Sequence, residues 1–416
     1  MRKQYGVVAL ILFTFFVISF LTNILGALNP SVSISYGLTE TMAGFLPFSF
    51  FIAYGIMSIP AGFLLEKYGE KSLLLGGFLL AFLGSLVFTL FPTFLIFLVS
   101  LFVIGTGMAV LQVVINPLLR VAGGEENFAF TSVLGQLIFG MASFISPLVY
   151  TYLVLHVGQK EKSSWFLEVL TTLVPQDMSW VSMYVIFALL SLCLIILVGA
   201  MALPPITLSK EEQAGTKNSY RLLFRRKTVI LYFLGIFAYV GAEQGISYWM
   251  SKFLLVYHGL NFETVGAGAV ANFWGLMTVG GILGLVLLRI LDSRLVLRIF
   301  SGLAMICLSA GLFGDSALSL YGFQSSGFFL SVMFPIIVSL ALNSVSEYHG
   351  SMAGILMTGI MGGAVVQLLI GFISDLVSLK FGMLLVFMAL GYIFSIGFWA
   401  KPLISNKTIR FKKNSA

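Results

Sequence analysis

Apolar segments of about 20 residues follow one another along nearly the whole chain. An α-helical residue rises about 1.5 Å, so a segment of roughly this length crosses the hydrocarbon core of a bilayer as one helix. We count twelve such segments, the first over residues 6–28 and the last over 381–403. Only 9% of the 416 residues are charged, against about 25% in a soluble domain. The sequence therefore excludes a water-soluble globular fold and predicts an all-α membrane protein with twelve transmembrane helices.

The longest polar, charge-bearing stretch divides the twelve segments into six and six. It begins at Pro204-Pro205 and ends at Arg225-Arg226-Lys227. Segment five (GQLIFGMASFISP) and segment eleven (GAVVQLLIGFISD) share a leading Gly and the tripeptide Phe-Ile-Ser at the same offset, which suggests repeated halves. Such a layout is typical of secondary transporters with a site near the midplane between the halves. We predict an N-terminal six-helix bundle over 1–203, a cytoplasmic linker over 204–227, a C-terminal six-helix bundle over 228–403 and a basic cytoplasmic tail over 404–416.

The positive charges predict the orientation. Cytoplasmic loops of membrane proteins carry an excess of Lys and Arg. If the N-terminus is cytoplasmic, only four of the 23 basic residues fall outside, namely Lys160, Lys162, Lys252 and Lys380. The sequence therefore predicts that both termini are cytoplasmic, and that the basic tail also contacts anionic membrane lipids.

A charged motif occupies the loop between segments two and three. Its Gly69 permits a tight turn, and Glu66 can pair with Arg120 at the end of segment four, which would hold one conformation. The alternative is an ordinary charged cytoplasmic turn. The motif resembles the loop signature of the major facilitator superfamily, with Glu66 where that family usually has Asp. It consists of Gly62, Glu66, Lys67, Gly69 and Lys71.

Longer motifs in both halves resemble one family of that superfamily, the fucose/galactose/glucose sugar:cation symporters. They are VLQVVINPLLRVAGG in segment four, YVGAEQGISYWMSKFLLVYHG in segment seven and GSMAGILMTGIMGGAVVQLLIGFISD in segment eleven. The resemblance covers most of the chain. It implies the major facilitator fold and uptake of a monosaccharide such as fucose, glucose or galactose across a bacterial inner membrane, coupled to H⁺ or Na⁺.

The chain departs from that family at three positions. The family commonly carries an acid late in segment one, and its fucose-type members carry another in segment four, where this chain has Asn23 and Gln112. Phe139 stands where the family tends to have Asn. Amides can hydrogen-bond a sugar but cannot carry a proton. A cation-coupled importer is the main interpretation, and an uncoupled facilitator or an exporter of a more apolar small molecule is the alternative.

One carboxylate, Glu243, lies deep in a predicted segment, and the other 15 of the 16 Asp and Glu residues fall in loops or at segment ends. An ionised carboxylate at that depth costs several kcal/mol unless it is paired, protonated or bound to a cation. We predict that Glu243 couples transport to a cation. The alternative is a structural Glu bonded to a neighbouring helix.

Amide and aromatic side chains at membrane depth are the candidate sugar ligands. An amide supplies both a donor and an acceptor without the desolvation cost of a charge, and an aromatic ring can pack on the apolar face of a pyranose. Gln112 and Asn116 are four residues apart and so lie on one helical face. Any single amide can instead bond two helices together. The predicted substrate-binding residues are Asn23, Gln112, Asn116, Gln136, Gln244, Asn272, Trp249 and Trp274.

Other classes of protein fit the sequence poorly. The two cysteines and three histidines lack metal-ligand spacing, and the chain has no phosphate-binding G-x-x-x-x-G-K-[ST] loop. The longest loops, 156–180 and 204–227, contain no paired Asp residues and no metal-type spacing suited to a membrane-embedded enzyme. A sensor derived from a transporter would need an additional signalling domain. We therefore expect a monomeric transporter without a cofactor, a metal or a nucleic-acid partner.

Overall fold

The structure is a computed structural model that describes residues 5–124, 128–159, 164–204 and 217–403. Its elements are α-helices joined by short turns, with brief 3₁₀ and π turns at 179–181, 262–266 and 359–361. The α-helices are α1 Tyr5–Thr22, α2 Leu25–Tyr36, α3 Glu40–Leu90, α4 Phe94–Gly123, α5 Phe128–His156, α6 Trp165–Leu173, α7 Ser182–Ala200, α8 Lys217–Phe224, α9 Lys227–His258, α10 Ala267–Ile290, α11 Ser293–Phe313, α12 Ser316–Leu330, α13 Met333–Leu342, α14 His349–Thr358, α15 Gly362–Leu376, α16 Leu379–Met383 and α17 Leu385–Trp399.

Eleven helical stretches of the described residues are long and apolar enough to cross a membrane. One of them, α3, has 51 residues and is therefore roughly 75 Å long, about twice what one crossing needs. Its backbone leaves the helical conformation at Gly69, where φ is 76° and ψ is 168°, in a region that favours glycine. The two arms of α3 are thus spans two and three. The prediction of twelve spans is confirmed for the described residues, and Gly69 forms the predicted turn.

Span one differs from its prediction. It runs over 5–36 rather than 6–28 and consists of α1 and α2, which are separated at Asn23 and Ile24. The additional residues are NPSVSISY, whose polarity ends the apolar segment in the sequence. Asn29, Ser31 and Ser33 are nonetheless buried, because other spans supply partners for them. The mean hydropathy of a stretch of sequence shows how polar the stretch is, but it does not show whether neighbouring helices bury it.

Two polar inserts also contain helices. The stretch after span five forms α6, whose first turn is capped by Ser164, the hydroxyl of which accepts a hydrogen bond from the Leu167 amide. The linker contains α8 immediately before span seven. Residues 205–216 of the linker and the basic tail 404–416 lie outside the described residues. The division into the four predicted segments remains a prediction.

Candidate functional site

The helical bundle has two ends, which differ in how the halves of the chain meet. The motif end contains the Gly69 turn, α8 and the last described residues. The far end contains the start of α3 at Glu40, the end of α9 at His258 and the end of α15 at Leu376. Spans one to six are called the first half below, and spans seven to twelve the second half.

An ion pair joins the halves at the far end. The Lys252 ammonium on α9 lies 2.6 Å from Oε2 of Glu40 at the start of α3. It also donates a 3.2 Å hydrogen bond to the Ser33 hydroxyl on α2. Only 7% of Lys252 is exposed, so the pair is screened by water less than a surface pair.

Asp375 makes a second connection at the same end. Its two carboxylate oxygens accept hydrogen bonds of 2.8 Å each from the backbone N–H groups of Glu40 and Thr41. These are among the first amides of α3, which have no partner within the helix, and a negative charge is favourable there. The backbones are also close, since a Cβ on Gly371 would collide with the Glu40 carbonyl. Span eleven of the second half therefore caps span two of the first half.

Deeper contacts bring span seven against spans one and two. The Asn29 amide donates to the Tyr248 carbonyl at 3.2 Å, and the Tyr248 hydroxyl donates to the Ala43 carbonyl at 2.6 Å. A Cβ on Gly26 would collide with the Ser247 carbonyl. The far end is therefore closed by direct contact between the halves.

A cavity of about 240 Å³ lies towards the motif end, between the halves. Spans two and four contribute its first-half wall, and span eleven and α8 contribute the second. The residues that line it are Tyr54, Ser58, Ile59, Gly62, Leu65, Glu66, Ala109, Gln112, Val113, Asn116, Pro117, Tyr220, Gly350, Ala353, Gly354, Met357 and Ile360.

Two of the predicted substrate residues face this cavity. Gln112 and Asn116 both line it, as their spacing on one face of α4 predicts, and Asn116 is exposed. The side-chain amides can therefore offer donors and acceptors to a polar molecule in the cavity.

Span two contributes a polar face that the substrate-site prediction omitted. Tyr54, Ser58, Gly62 and Glu66 all line the cavity and recur every four residues, the spacing of one helical face. The Ser58 hydroxyl donates to the Tyr54 carbonyl at 2.6 Å. This spacing is visible in the sequence and could have identified Tyr54 and Ser58.

Asn23 lies at the break in span one and is bonded to span five. Its side-chain N–H donates to the Ser143 hydroxyl at 2.8 Å, and Ser19 donates to the carbonyl of Phe139. Asn23 is buried and is not among the residues that line the cavity. In this conformation it joins two helices of the first half.

Glu243 lies in the middle of α9 and is half-buried. Its Oε1 accepts a 2.6 Å hydrogen bond from the hydroxyl of Tyr239, one turn nearer the motif end. Glu243 is not among the residues that line the cavity. A cation-coupling role for this side chain remains a prediction.

The five other predicted substrate residues lie outside the cavity lining. Gln136 and Asn272 are exposed, whereas Gln244 is buried. Trp249 is fully buried and Trp274 nearly so, and each ring packs edge-on against its neighbour in sequence, Tyr248 or Phe273. Their role as substrate ligands stays a prediction.

The loop motif is divided between the cavity and the bundle. Gly62 and Glu66 line the cavity, and the Lys67 ammonium lies 4.9 Å from the centre of the Tyr68 ring. The Lys71 ammonium donates two 2.9 Å hydrogen bonds, one to the Gly199 carbonyl and one to the Met201 carbonyl. These carbonyls lie at the C-terminal end of span six, where backbone acceptors have no partner within the helix. The pairing of Glu66 with Arg120 stays a prediction.

Curated relatives match this chain over most of its length. A glucose/galactose transporter of Brucella abortus is 27% identical over 398 residues, which cover 94% of this chain and 93% of the relative. An L-fucose-proton symporter of Escherichia coli is 27% identical over 382 residues, covering 88% of this chain and 86% of the relative.

Solved structures share the fold at lower identity. A variant of the Escherichia coli fucose:proton symporter superposes with a TM-score of 0.69 at 22% identity, covering 96% of this chain and all of the other. A D-xylose-proton symporter gives a TM-score of 0.74 at 13% identity, covering 98% of this chain and all of the other. The sequence profile of the Major Facilitator Superfamily matches residues 11–367. This chain is a multi-pass membrane protein that belongs to the Major Facilitator Superfamily.

Proposed function

We propose that this protein is a secondary active transporter, not an enzyme, that imports a monosaccharide such as fucose, glucose or galactose together with H⁺ or Na⁺. Two relatives that match about nine-tenths of this chain support it, because one is named a glucose/galactose transporter and the other an L-fucose-proton symporter. No prosthetic group enters the proposal.

The single observation that carries the proposal is the asymmetry between the two ends. Direct contacts between the halves close the far end at Lys252, Glu40 and Asp375. A cavity with polar lining residues lies between the same halves towards the motif end. An alternating-access transporter has such a state, in which a central site communicates with one side only.

The motif end is assigned to the cytoplasm of a bacterium and the far end to the outside of its inner membrane. Support comes from the positive charges, because Lys and Arg are enriched in cytoplasmic loops and 19 of the 23 fall on the motif side of the twelve spans. Both termini are then cytoplasmic. The conformation is inward-facing, and the protein acts as a monomer surrounded by lipid.

The sugar is recognised by amides and hydroxyls rather than by charges. Gln112 and Asn116 supply both functions of the amide from span four, and Tyr54 and Ser58 supply hydroxyls from span two. Each neutral hydrogen bond of this kind contributes about 0.5–1.5 kcal/mol. Asn23, Gln136, Gln244, Asn272, Trp249 and Trp274 contact the sugar when the cavity extends further between the halves.

Glu243 is the coupling acid in this proposal. It is half-buried in the middle of span seven, where an intramembrane carboxylate indicates an ion or proton pathway. The Tyr239 hydroxyl donates a hydrogen bond to one of its oxygens, and in this proposal the carboxylate takes up the proton or the cation.

A second candidate is an uncoupled facilitator, or an exporter of a more apolar small molecule. The observation that favours it is that Asn23 and Gln112, which cannot carry a proton, occupy positions where the resembling symporters commonly have acids. Asn23 moreover bonds to Ser143 within the first half.

Proteoliposomes separate these candidates. Labelled fucose, glucose and galactose are offered in turn under an inward proton gradient, an inward sodium gradient or no gradient. We expect accumulation of at least one sugar above its external concentration under one gradient. Entry that stops at equal concentrations under every gradient would support the facilitator, and absence of entry for all monosaccharides would exclude sugar import.

A further inference from the structure

The short helix α8, Lys217–Phe224, has two chemically different faces, and only one of them contacts the part of the protein that the structure describes. Ser219 and Leu223 are buried, and Tyr220 is half-buried. The Ser219 hydroxyl lies 2.9 Å from the Ser351 hydroxyl on span eleven. The Tyr220 ring lies 6.1 Å from that of Phe63 on span two. The inner face of α8 therefore bridges the two halves beside the cavity.

The outer face of α8 combines cations with apolar side chains. Arg221 lies on this face, Arg225 follows directly after the last residue of α8, and both are exposed. Leu222 and Phe224 border them on either side and are 49% and 45% exposed. A soluble surface gains nothing from two large apolar side chains among arginines, whereas the interface of a bilayer accommodates both.

The position of α8 fits that interface. The helix ends at Phe224 and span seven begins at Lys227, so only two residues separate them. Ile230 and Leu234 on the first turns of span seven are 43% and 39% exposed and belong to the lipid-facing surface of the bundle. Leu222 and Phe224 are therefore exposed apolar residues just before the exposed apolar residues of span seven in the sequence.

We propose that the outer face of α8 docks onto anionic phospholipid headgroups of the leaflet at the motif end. Guanidinium groups bind phosphate oxygens in a bidentate fashion and stay charged at this interface. The apolar borders enter the acyl region beside span seven, which a soluble phosphate would not require. Arg226 and Lys227 are exposed next to this face and add to its positive charge.

The docking surface has a consequence for the transport pathway. Among the described residues that line the cavity, Tyr220 is the one that lies outside the twelve spans. Lipid on the outer face holds α8 against spans two and eleven, and therefore holds Tyr220 at the edge of the cavity. The lipid contact itself does not depend on which substrate is carried, so its test is independent of the proposed sugar transport.

Lipid retention measures the interaction directly. The full chain is purified in dodecylmaltoside, titrated with dioleoylphosphatidylglycerol or dioleoylphosphatidylcholine, and analysed by mass spectrometry for bound lipid. We expect preferential retention of phosphatidylglycerol, and an at least fivefold weaker interaction for the pair Arg221→Gln and Arg225→Gln, because a lost hydrogen bond between a guanidinium and the phosphate costs about tenfold in affinity. The pair Leu222→Ser and Phe224→Ser should weaken retention as well.

The matched control removes the same charge elsewhere at the same end. Arg289 and Lys401 are exposed, and the pair Arg289→Gln and Lys401→Gln should retain lipid within twofold of the wild type. Equal losses in the two pairs, or unchanged retention in the α8 pair, would overturn the proposal. Displacement of the lipid by inorganic phosphate, but not by sodium chloride of equal ionic strength, would assign the face to a soluble anion and would also overturn it. The pair Arg221→Lys and Arg225→Lys keeps the charge and checks that a loss does not reflect misfolding.

Discussion

The Lys252 ammonium on span seven lies 2.6 Å from the Glu40 carboxylate at the start of span two, and this ion pair joins the two halves at the far end. Because the pair exists only while that end is closed, its free energy stabilises the present conformation over one that opens there. Because the ion pair links one residue from each half, it affects the equilibrium between the conformation with the far end closed and the conformation with the far end open.

Substitution Lys252→Met should open the far end more often. The pair is mostly shielded from water on the Lys252 side, so its loss should cost the closed state about 1 kcal/mol or more, roughly a fivefold shift in population. Ala43 is fully buried, and its carbonyl accepts a hydrogen bond from Tyr248 of the other half, so a cysteine in its place reports opening. With Cys193 and Cys307 replaced by Ser, its labelling rate should rise about fivefold in the Lys252→Met background.

The exchanged pair Lys252→Glu with Glu40→Lys is the control. It restores opposite charges at the same positions and should return the labelling rate towards that of the wild type. A rate that Lys252→Met leaves unchanged would show that the ion pair does not set the equilibrium.

Asp375→Ala should act in the same direction through the helix cap. The carboxylate accepts from both the Glu40 and Thr41 amides at 2.8 Å, and loss of such a cap typically costs about 0.5–2 kcal/mol. We expect faster labelling of the cysteine at position 43, by about twofold to thirtyfold, and a smaller effect for Asp375→Asn, which keeps one acceptor. Equal labelling rates in the wild type, Asp375→Ala and Asp375→Asn would show that Asp375 does not stabilise the closed far end.

Gly26→Ala should prevent the closed far end sterically. A Cβ at this position collides with the Ser247 carbonyl across the halves, and two packed helix backbones cannot yield as a flexible side chain can. A cysteine at Asn116, exposed in the cavity, should then lose most of its labelling. Gly281→Ala is the matched control, because nothing lies within 4 Å of its added Cβ. If it reduced labelling equally, the effect of Gly26→Ala would not come from the collision with Ser247.

Asn116→Ala should weaken sugar binding without unfolding the protein. The side chain is exposed in the cavity, and one lost hydrogen bond corresponds to about a threefold to tenfold rise in KM. Gln367→Leu provides the contrast, since that amide is fully buried and donates to the Gly241 carbonyl at 3.2 Å. Gln367→Leu should lower the melting temperature and leave KM unchanged. If Gln367→Leu instead raised KM and Asn116→Ala lowered only the melting temperature, the sugar would bind elsewhere.

Much of the architecture could be predicted from the sequence because the bilayer imposes it. The length of each apolar segment predicts the spans, and Gly69 with its charged neighbours predicts the turn between spans two and three. That Gln112 and Asn116 share one helical face followed from their spacing, whereas the periodicity did not show that this face borders a cavity. These are local properties, each contained in a few consecutive residues.

The contacts between the halves could not be predicted in this way. Lys252, Glu40 and Asp375 stand at the ends of three different spans, where charged residues are common and usually solvated. Their meeting depends on how the halves pack, and the polar residues of α2 are buried for the same reason. The sequence placed Trp249 at a suitable depth for a sugar, but only the packing shows that its ring is fully covered in this conformation.

In the proposed mechanism, Glu243 couples a cation gradient to sugar movement. The direct measurement compares wild type and Glu243→Gln in proteoliposomes, recording both gradient-driven accumulation of the transported sugar and counterflow exchange without a gradient. We expect the variant to lose accumulation above the external concentration while it keeps exchange, because the amide cannot take up and release a proton or balance a cation. Accumulation by Glu243→Gln equal to that of the wild type would contradict the account.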